Sequence, residues 1–403
     1  MHTGISNKVL RESNTSVLLS LINEKGLTTK SELSKLSSLS KSSISNLLES
    51  LINKKLIVSQ SKRASNGGRK PKEYKINPNA HYAIGIDIGV QEVKGIIINL
   101  QGKILIKKSL DANYKKNTII NHVYKIINII YNSFKEKEKI LGAGISFAGL
   151  VDPKTSKIYY SPNIGGINES FKNLTKMLAM KIPLFIDKDA NLAALCEYWF
   201  GSGKEKNTVL YIMADFGTGA GLVINGEIYR GYMGSACDPG HTTIDINGKS
   251  CVCGKFGCLE TFTSYNAIIE RFIEKYKKGG KTNIDEKDIL SKNKMSVSKI
   301  IENALKGDPI SLDIIKETGQ LIGIAGSNLV NLFDPEIVIL GGGLTSAKNL
   351  LFDPFKRLIV EREKIIQRKL IIESSKFGND TCAIGAATIV LKNFFKGGEQ
   401  AII

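Results

Sequence analysis

The sequence predicts an α/β protein headed by a winged helix-turn-helix, and three observations carry that expectation. The first 80 residues combine capped amphipathic helices with a basic, glycine-rich loop set between two strand-like runs. Beyond a linker near Asn77-Pro78-Asn79, the pattern changes to Ile- and Gly-rich strands broken by helices. Several of those strands then run into glycine turns.

In the head, residues 15 to 23 place Val17, Leu18, Leu21 and Ile22 at helical spacing, and Gly26 follows as a stop. Thr29-Lys30-Ser31-Glu32 reads as a capping box, because hydroxyl and carboxylate can each satisfy a free amide at a helix start; Leu33 and Leu36 are then expected to face inward. Ser40 caps a third helix whose Ile44, Leu47, Leu48 and Leu51 follow i, i+3, i+4, i+7. Its other side carries Lys41, Ser42, Ser43, Ser45 and Asn46, short polar groups that let a recognition helix approach base edges, Asn46 being able to pair with adenine. Leu56 to Val58 and Tyr74 to Ile76 read as strands enclosing a wing that holds Arg63, Arg69 and Lys70. A helical bundle with a solvated hairpin is the alternative reading.

The body reads as strands at Tyr82 to Ile86, Gly95 to Leu100, Ile182 to Ile186, Val209 to Met213 and Ile337 to Leu340. At 403 residues and 42% hydrophobic content the chain can bury more than one core. The first residues lack an apolar leader, and no run of about eighteen apolar residues occurs, so a cytoplasmic protein with no membrane partner is expected. The formal charge is +18; residues 1 to 80 hold 14 Lys+Arg against 5 Asp+Glu, a basic head suited to nucleic acid.

His241 with Cys251, Cys253 and Cys258 offers one imidazole and three thiolates within a short span, a closed set suited to tetrahedral zinc. A closed set leaves no water to activate, so the zinc is expected to be structural. Gly217-Thr218-Gly219 is expected to form a loop whose amides can hold phosphate, Gly341-Gly342-Gly343 a second, and Asp87-Ile88-Gly89 a third with a carboxylate for a metal-bound phosphate. Close packing is the competing use of such glycines. Asp187-Lys188-Asp189-Ala190-Asn191 follows a strand, where open sheets place ligand groups; Asp189 reads equally as a proton acceptor for a sugar hydroxyl or as a helix cap.

Taken in order, these motifs resemble the ROK family, named for repressors, open reading frames and kinases. The resemblance implies a two-lobed, actin-like ATPase (ROK sugar kinase-like) domain over residues 79–403 behind a winged helix over 1–78. It further implies a small lobe at 79–190, a large lobe with the zinc at 191–380, and a carboxy-terminal helix at 381–403 returning to the small lobe. Asp189 becomes the counterpart of the kinase base; Lys188, Asn191, Asp238, His241 and Glu260 become sugar-site residues; and Asp87, Gly89, Gly217, Thr218, Gly219 and Gly341 to Gly343 become nucleotide-loop counterparts.

Three positions depart from the kinase pattern. Val90-Gln91-Glu92 replaces Gly-Thr-Lys, Lys188 replaces an Asn, and Asp238 replaces the Glu of a Gly-Glu-x-Gly-His motif. The implied function is therefore a sugar-responsive transcriptional regulator, a homodimer or dimer of dimers on operator DNA. Xylose is one effector candidate, beside glucose and N-acetylglucosamine derivatives. The alternative is an ATP- and magnesium-dependent sugar kinase with an added DNA-binding domain.

Overall fold

In the computed structural model, residues 7–61, 72–112, 114, 119–161, 163–164, 169–171, 174, 182–291, 294–363 and 369–397 are described. The chain gathers into two compact units, the first from residues 1–145, 171–186 and 386–403, the second from 146–170 and 187–385.

The first unit opens with helices α1 (Asn7–Lys25), α2 (Lys30–Ser37) and α3 (Lys41–Asn53). The Thr29 capping box forms with both reciprocal bonds, and the Ser40 hydroxyl accepts from the Ser43 amide, so both expected caps are present. Ile44, Leu47, Leu48 and Leu51 are buried together. Helix α1 starts eight residues earlier than the sequence suggests, and its buried face is Leu18, Leu19 and Ile22 while Val17 is 44% exposed. The crowding of apolar residues from 17 to 22 leaves the phase open, and tertiary packing selects a face rotated by one residue, about 100°. Leu36 is also exposed, at 50%, because α2 stops after two turns at Ser38, whose backbone turns left-handed.

Strand β1 (Thr28–Thr29), too short to be read from sequence, pairs with β3 (Lys72–Ile76), which pairs in turn with β2 (Ile57–Ser61). The loop between β2 and β3, with Arg63, Arg69 and Lys70, lies outside the described residues.

The same unit holds a five-stranded sheet in which β4 (Tyr82–Ile88), β5 (Glu92–Asn99) and β6 (Ile104–Asp111) are antiparallel neighbours. β7 (Ile140–Phe147) and β11 (Leu184–Lys188) complete it in the order β11-β7-β4-β5-β6. Helix α4 (Ile119–Ser133) buries Ile119, Val123, Ile126, Ile127 and Ile130. It can come this close because residue 95 is glycine: a Cβ there would lie 2.1 Å from the Ile130 Cδ1 atom. The carboxy-terminal helix α11 (Thr381–Gly397) ends beside α1, where the Ser20 hydroxyl donates to the Phe395 carbonyl at 3.0 Å.

The second unit carries a small antiparallel sheet, β8 (Leu150–Asp152), β9 (Lys157–Tyr160) and β10 (Glu169–Ser170), and a five-stranded mixed sheet. In the latter, β12 (Thr208–Ala214) pairs antiparallel with β13 (Thr218–Ile224) and parallel with β15 (Ile337–Gly341); β14 (Glu227–Ile228) and β16 (Ile371–Ser374) form the edges. Helix α5 (Asp189–Phe200) packs on β12 and β13. The short α6 (Glu260–Thr263) leads into α7 (Tyr265–Lys277), and α8 (Val297–Leu305), α9 (Pro309–Phe333) and α10 (Asn349–Glu363) follow. A core of Leu210, Ile212, Phe272, Ile314, Leu340 and Phe355 joins sheet and helices.

Candidate functional site

On α3, Lys41, Ser42, Ser43 and Asn46 are exposed, opposite the buried leucine face. Ser45 is half-buried: it receives the Lys30 ammonium and donates to the Lys41 carbonyl at 3.0 Å, so its hydroxyl is engaged within the domain. Asn46 and Ser43 also line an open cleft of about 740 Å³ between α1 and α3, with Arg11 and Asn14 on the facing wall. Arg11 beside Asn46 was not legible in sequence, since it depends on how α1 crosses α3.

His241, Cys251, Cys253 and Cys258 converge, their ligand atoms all lying within 4.8 Å of one another. The Cys251 Sγ atom is 3.6 Å from His241 Nδ1, and Cys253 Sγ is 3.6 Å from Cys258 Sγ. A tight knuckle makes this possible, with the Cys251 amide donating to the Lys255 carbonyl at 2.8 Å and the Gly254 amide to the Cys251 carbonyl at 2.9 Å. Gly257 is required there: its φ is +62°, and a Cβ would lie 1.5 Å from the Asp245 carbonyl oxygen. Burial, then the neighbouring thiols, push Cys258 up to about 12, a cost that a bound dication would reverse by holding the thiolate. The group could hold a metal ion.

Around the start of α5, Asp187 is buried and paired with Arg230, whose Nε and Nη2 both lie 2.7 Å from its Oδ2. Asp187 also accepts from the Asn191 side-chain amide at 2.9 Å and from the Lys188 backbone at 2.8 Å. The sequence reading missed the Asp187–Arg230 pair, because 43 residues separate the partners. Asn191 is fully buried, and its Oδ1 has no hydrogen-bond partner among the described residues. Asp189 is half-buried and is the first residue of α5; the cap position is Lys188, and no side chain caps the helix, so the cap reading of Asp189 is corrected. Lys188 points its ammonium inward, 3.6 Å from Asp238 Oδ1.

Glu260 accepts from the Thr218 amide at 3.2 Å. Burial raises its carboxyl above the ordinary range, against the opposing field of His241. His241 thus faces both the cysteines and Glu260. Cys237 holds a left-handed φ of 56° where the family motif has a glycine, a departure visible in the sequence only once the motif is aligned.

Two of the glycine segments differ from expectation. Residues 218–221 are strand β13, not a loop; a Cβ on Gly221 would lie 2.1 Å from the Ala190 carbonyl, so this glycine admits the first turn of α5 against the strand. Gly217 similarly makes room for the Glu260 carboxylate, while the Thr218 hydroxyl pairs with that of Thr263 at 2.7 Å. Gly341 ends β15, Gly342 turns with φ +93°, and the Gly343 amide donates to Asp215 at 2.9 Å under the ring of Tyr265.

In the first unit Asp87 lies within β4, opposite Lys94. The Gly89 amide donates to the Glu92 carbonyl at 3.0 Å, and its carbonyl accepts from Tyr114 at 2.6 Å. Glu92 begins β5 and pairs with the buried Lys94 ammonium at 3.3 Å. The cation expected to be missing from this segment is therefore supplied two residues on, and the Glu92 charge is answered.

The match to the ROK family covers residues 83–393, and the chain belongs to that family. It is 29% identical over 402 residues to the xylose repressor of Caldicellulosiruptor bescii, covering 98% of this chain and 100% of the relative. Its fold is similar to a solved ROK family transcriptional regulator, a homolog of the E. coli MLC protein, at a TM-score of 0.81 and 25% identity, covering 97% and 98% of the two chains. It is also similar to a ROK family glucokinase from Streptomyces griseus in complex with glucose and AMPPNP, at a TM-score of 0.67 and 26% identity over 76% of this chain and 98% of that one.

Proposed function

We propose that the chain is a sugar-responsive transcriptional repressor, with a DNA-binding domain over 1–78 and a sugar-binding domain over 79–403. The observation that carries this reading is where the hydrogen-bond donors are spent. A kinase needs backbone amides held open for phosphate, since phosphoryl transfer is almost wholly positioning and charge neutralisation. Here the amides of Gly89, Thr218 and Gly343 each bond an oxygen of the chain itself. Residues around Asp189, by contrast, keep polar atoms unspent, and α3 exposes Asn46 with small hydroxyls on a basic head. Similarity to a protein named xylose repressor across the whole chain supports the same reading.

The metal is a structural zinc. Zinc–sulfur bonds of about 2.3 Å at tetrahedral angles put sulfurs about 3.8 Å apart, and the 3.6 Å between Cys253 and Cys258 fits that edge. All four ligands come from protein, and His241 ties the ion to Glu260. The chain works as a dimer, because paired recognition helices read half-sites about one helical turn apart.

The kinase reading rests on Asp189 and on similarity to a glucokinase holding a nucleotide analogue. One experiment separates the two. Selection from a randomised duplex library should recover a two-fold site whose binding a sugar alters. In a coupled assay with magnesium-ATP, turnover of about 1 per second or faster would establish the kinase instead.

A further inference from the structure

Two of the positions at which this chain departs from the kinase pattern touch each other. Lys188 stands where an asparagine is usual and Asp238 where a glutamate is usual, and the Lys188 Nζ lies 3.6 Å from Asp238 Oδ1. The ammonium is fully out of solvent and makes no hydrogen bond among the described residues. It sits over Gly219, where a Cβ would be 3.9 Å from it, so the strand gives it room without giving it a partner. A buried ammonium with three donors and one distant counter-charge is an unfinished arrangement, because desolvation has been incurred and the bonds that offset it are missing.

The chemistry of the missing partner follows from what the pair offers. An asparagine both donates and accepts; lysine only donates and aspartate only accepts. Adjacent hydroxyls suit that division, one donating to Asp238 while its neighbour accepts from Lys188. Charge argues against an acidic ligand. Asp238 already answers Lys188, Arg230 is consumed by Asp187, and Asp189 and Glu260 remain, so no net positive charge is left over for a phosphate or carboxylate.

Resting on the sugar-responsive reading above, we propose that Lys188 and Asp238 act as one unit that reads two neighbouring hydroxyls of an uncharged sugar and rejects its phosphorylated and acidic counterparts.

Isothermal titration calorimetry on the full, zinc-replete chain tests this with matched probes: xylose, glucose and N-acetylglucosamine against glucose 6-phosphate, N-acetylglucosamine 6-phosphate and glucuronate. One uncharged sugar should bind, and its acidic counterparts at least tenfold more weakly. Lys188→Met and Asp238→Asn should each weaken that sugar at least tenfold. The double variant should be little worse than the weaker single, since partners in one contact are not additive. Circular dichroism monitors folding, and the comparison on the unaltered chain needs no variant should Lys188→Met unfold. A phosphate or uronate binding as well as the uncharged sugar would overturn the proposal while leaving a sugar-responsive regulator in place, as would additive or silent substitutions. Binding of no sugar of either kind would overturn both.

Discussion

Arg230→Ala isolates the buried Asp187 carboxylate. In the folded chain that carboxylate holds two arginine nitrogens at 2.7 Å, the Asn191 amide at 2.9 Å and the Lys188 backbone amide at 2.8 Å. Stripping the cation from a buried pair typically costs about 3–5 kcal/mol, because the surviving charge has no counterpart. Two of the four donors remain, and the arginine side chain is 30% exposed, so water can reach part of the vacated space. The expected loss is therefore about 2–3 kcal/mol, which lowers the melting midpoint of a unit this size by about 4–12 °C. Differential scanning calorimetry of the full chain reads it. Adding Asp187→Asn should recover at least half of the loss, since a neutral amide needs no cation. A loss below about 1 kcal/mol, or a double variant no more stable than Arg230→Ala, would refute the claim that charge pairing organises the start of α5.

Metal analysis should find about one zinc per chain, and chelation or Cys258→Ser should lower the melting midpoint of the second unit; chelation with no change would remove the structural role. Asp189→Asn should weaken the sugar response while leaving sugar-free operator affinity nearly intact, measured by fluorescence anisotropy. Asn46→Ala should relax base preference and cost about 1–3 kcal/mol at one base pair, read by the same assay on single-base operator variants; uniform weakening across all of them would instead make it a backbone contact. Burial raises the Glu197 carboxyl, so the folded chain holds that proton more tightly than the unfolded chain does. The stability this lends at acid pH is lost as pH climbs past the ordinary carboxylate range, and Glu197→Gln should flatten the fall in melting midpoint from pH 4.5 upward. An unchanged slope would show that other groups set it.

What the sequence determined by itself is whatever local chemistry encodes within a turn or two. The Thr29 and Ser40 caps, the buried stripe of α3 and the four metal-ligand candidates were all legible, because capping, helical period and ligand spacing act between near neighbours. Family membership was legible for a related reason, since it rests on several short motifs in a set order. Where neighbours are distant, the sequence was silent or misleading. The phase of α1 had two solutions until the helices around it packed, and residues 218–221 read as a loop because glycine suits both a turn and a strand pressed against a helix. Only the tertiary structure set Arg230 on Asp187, Lys188 on Asp238, and internal oxygens on the amides of Gly89, Thr218 and Gly343. Those contacts join residues far apart in the chain or turn on the path of a loop, and electrostatics and hydrogen bonding act through space, so their partners are fixed by the fold that carries them.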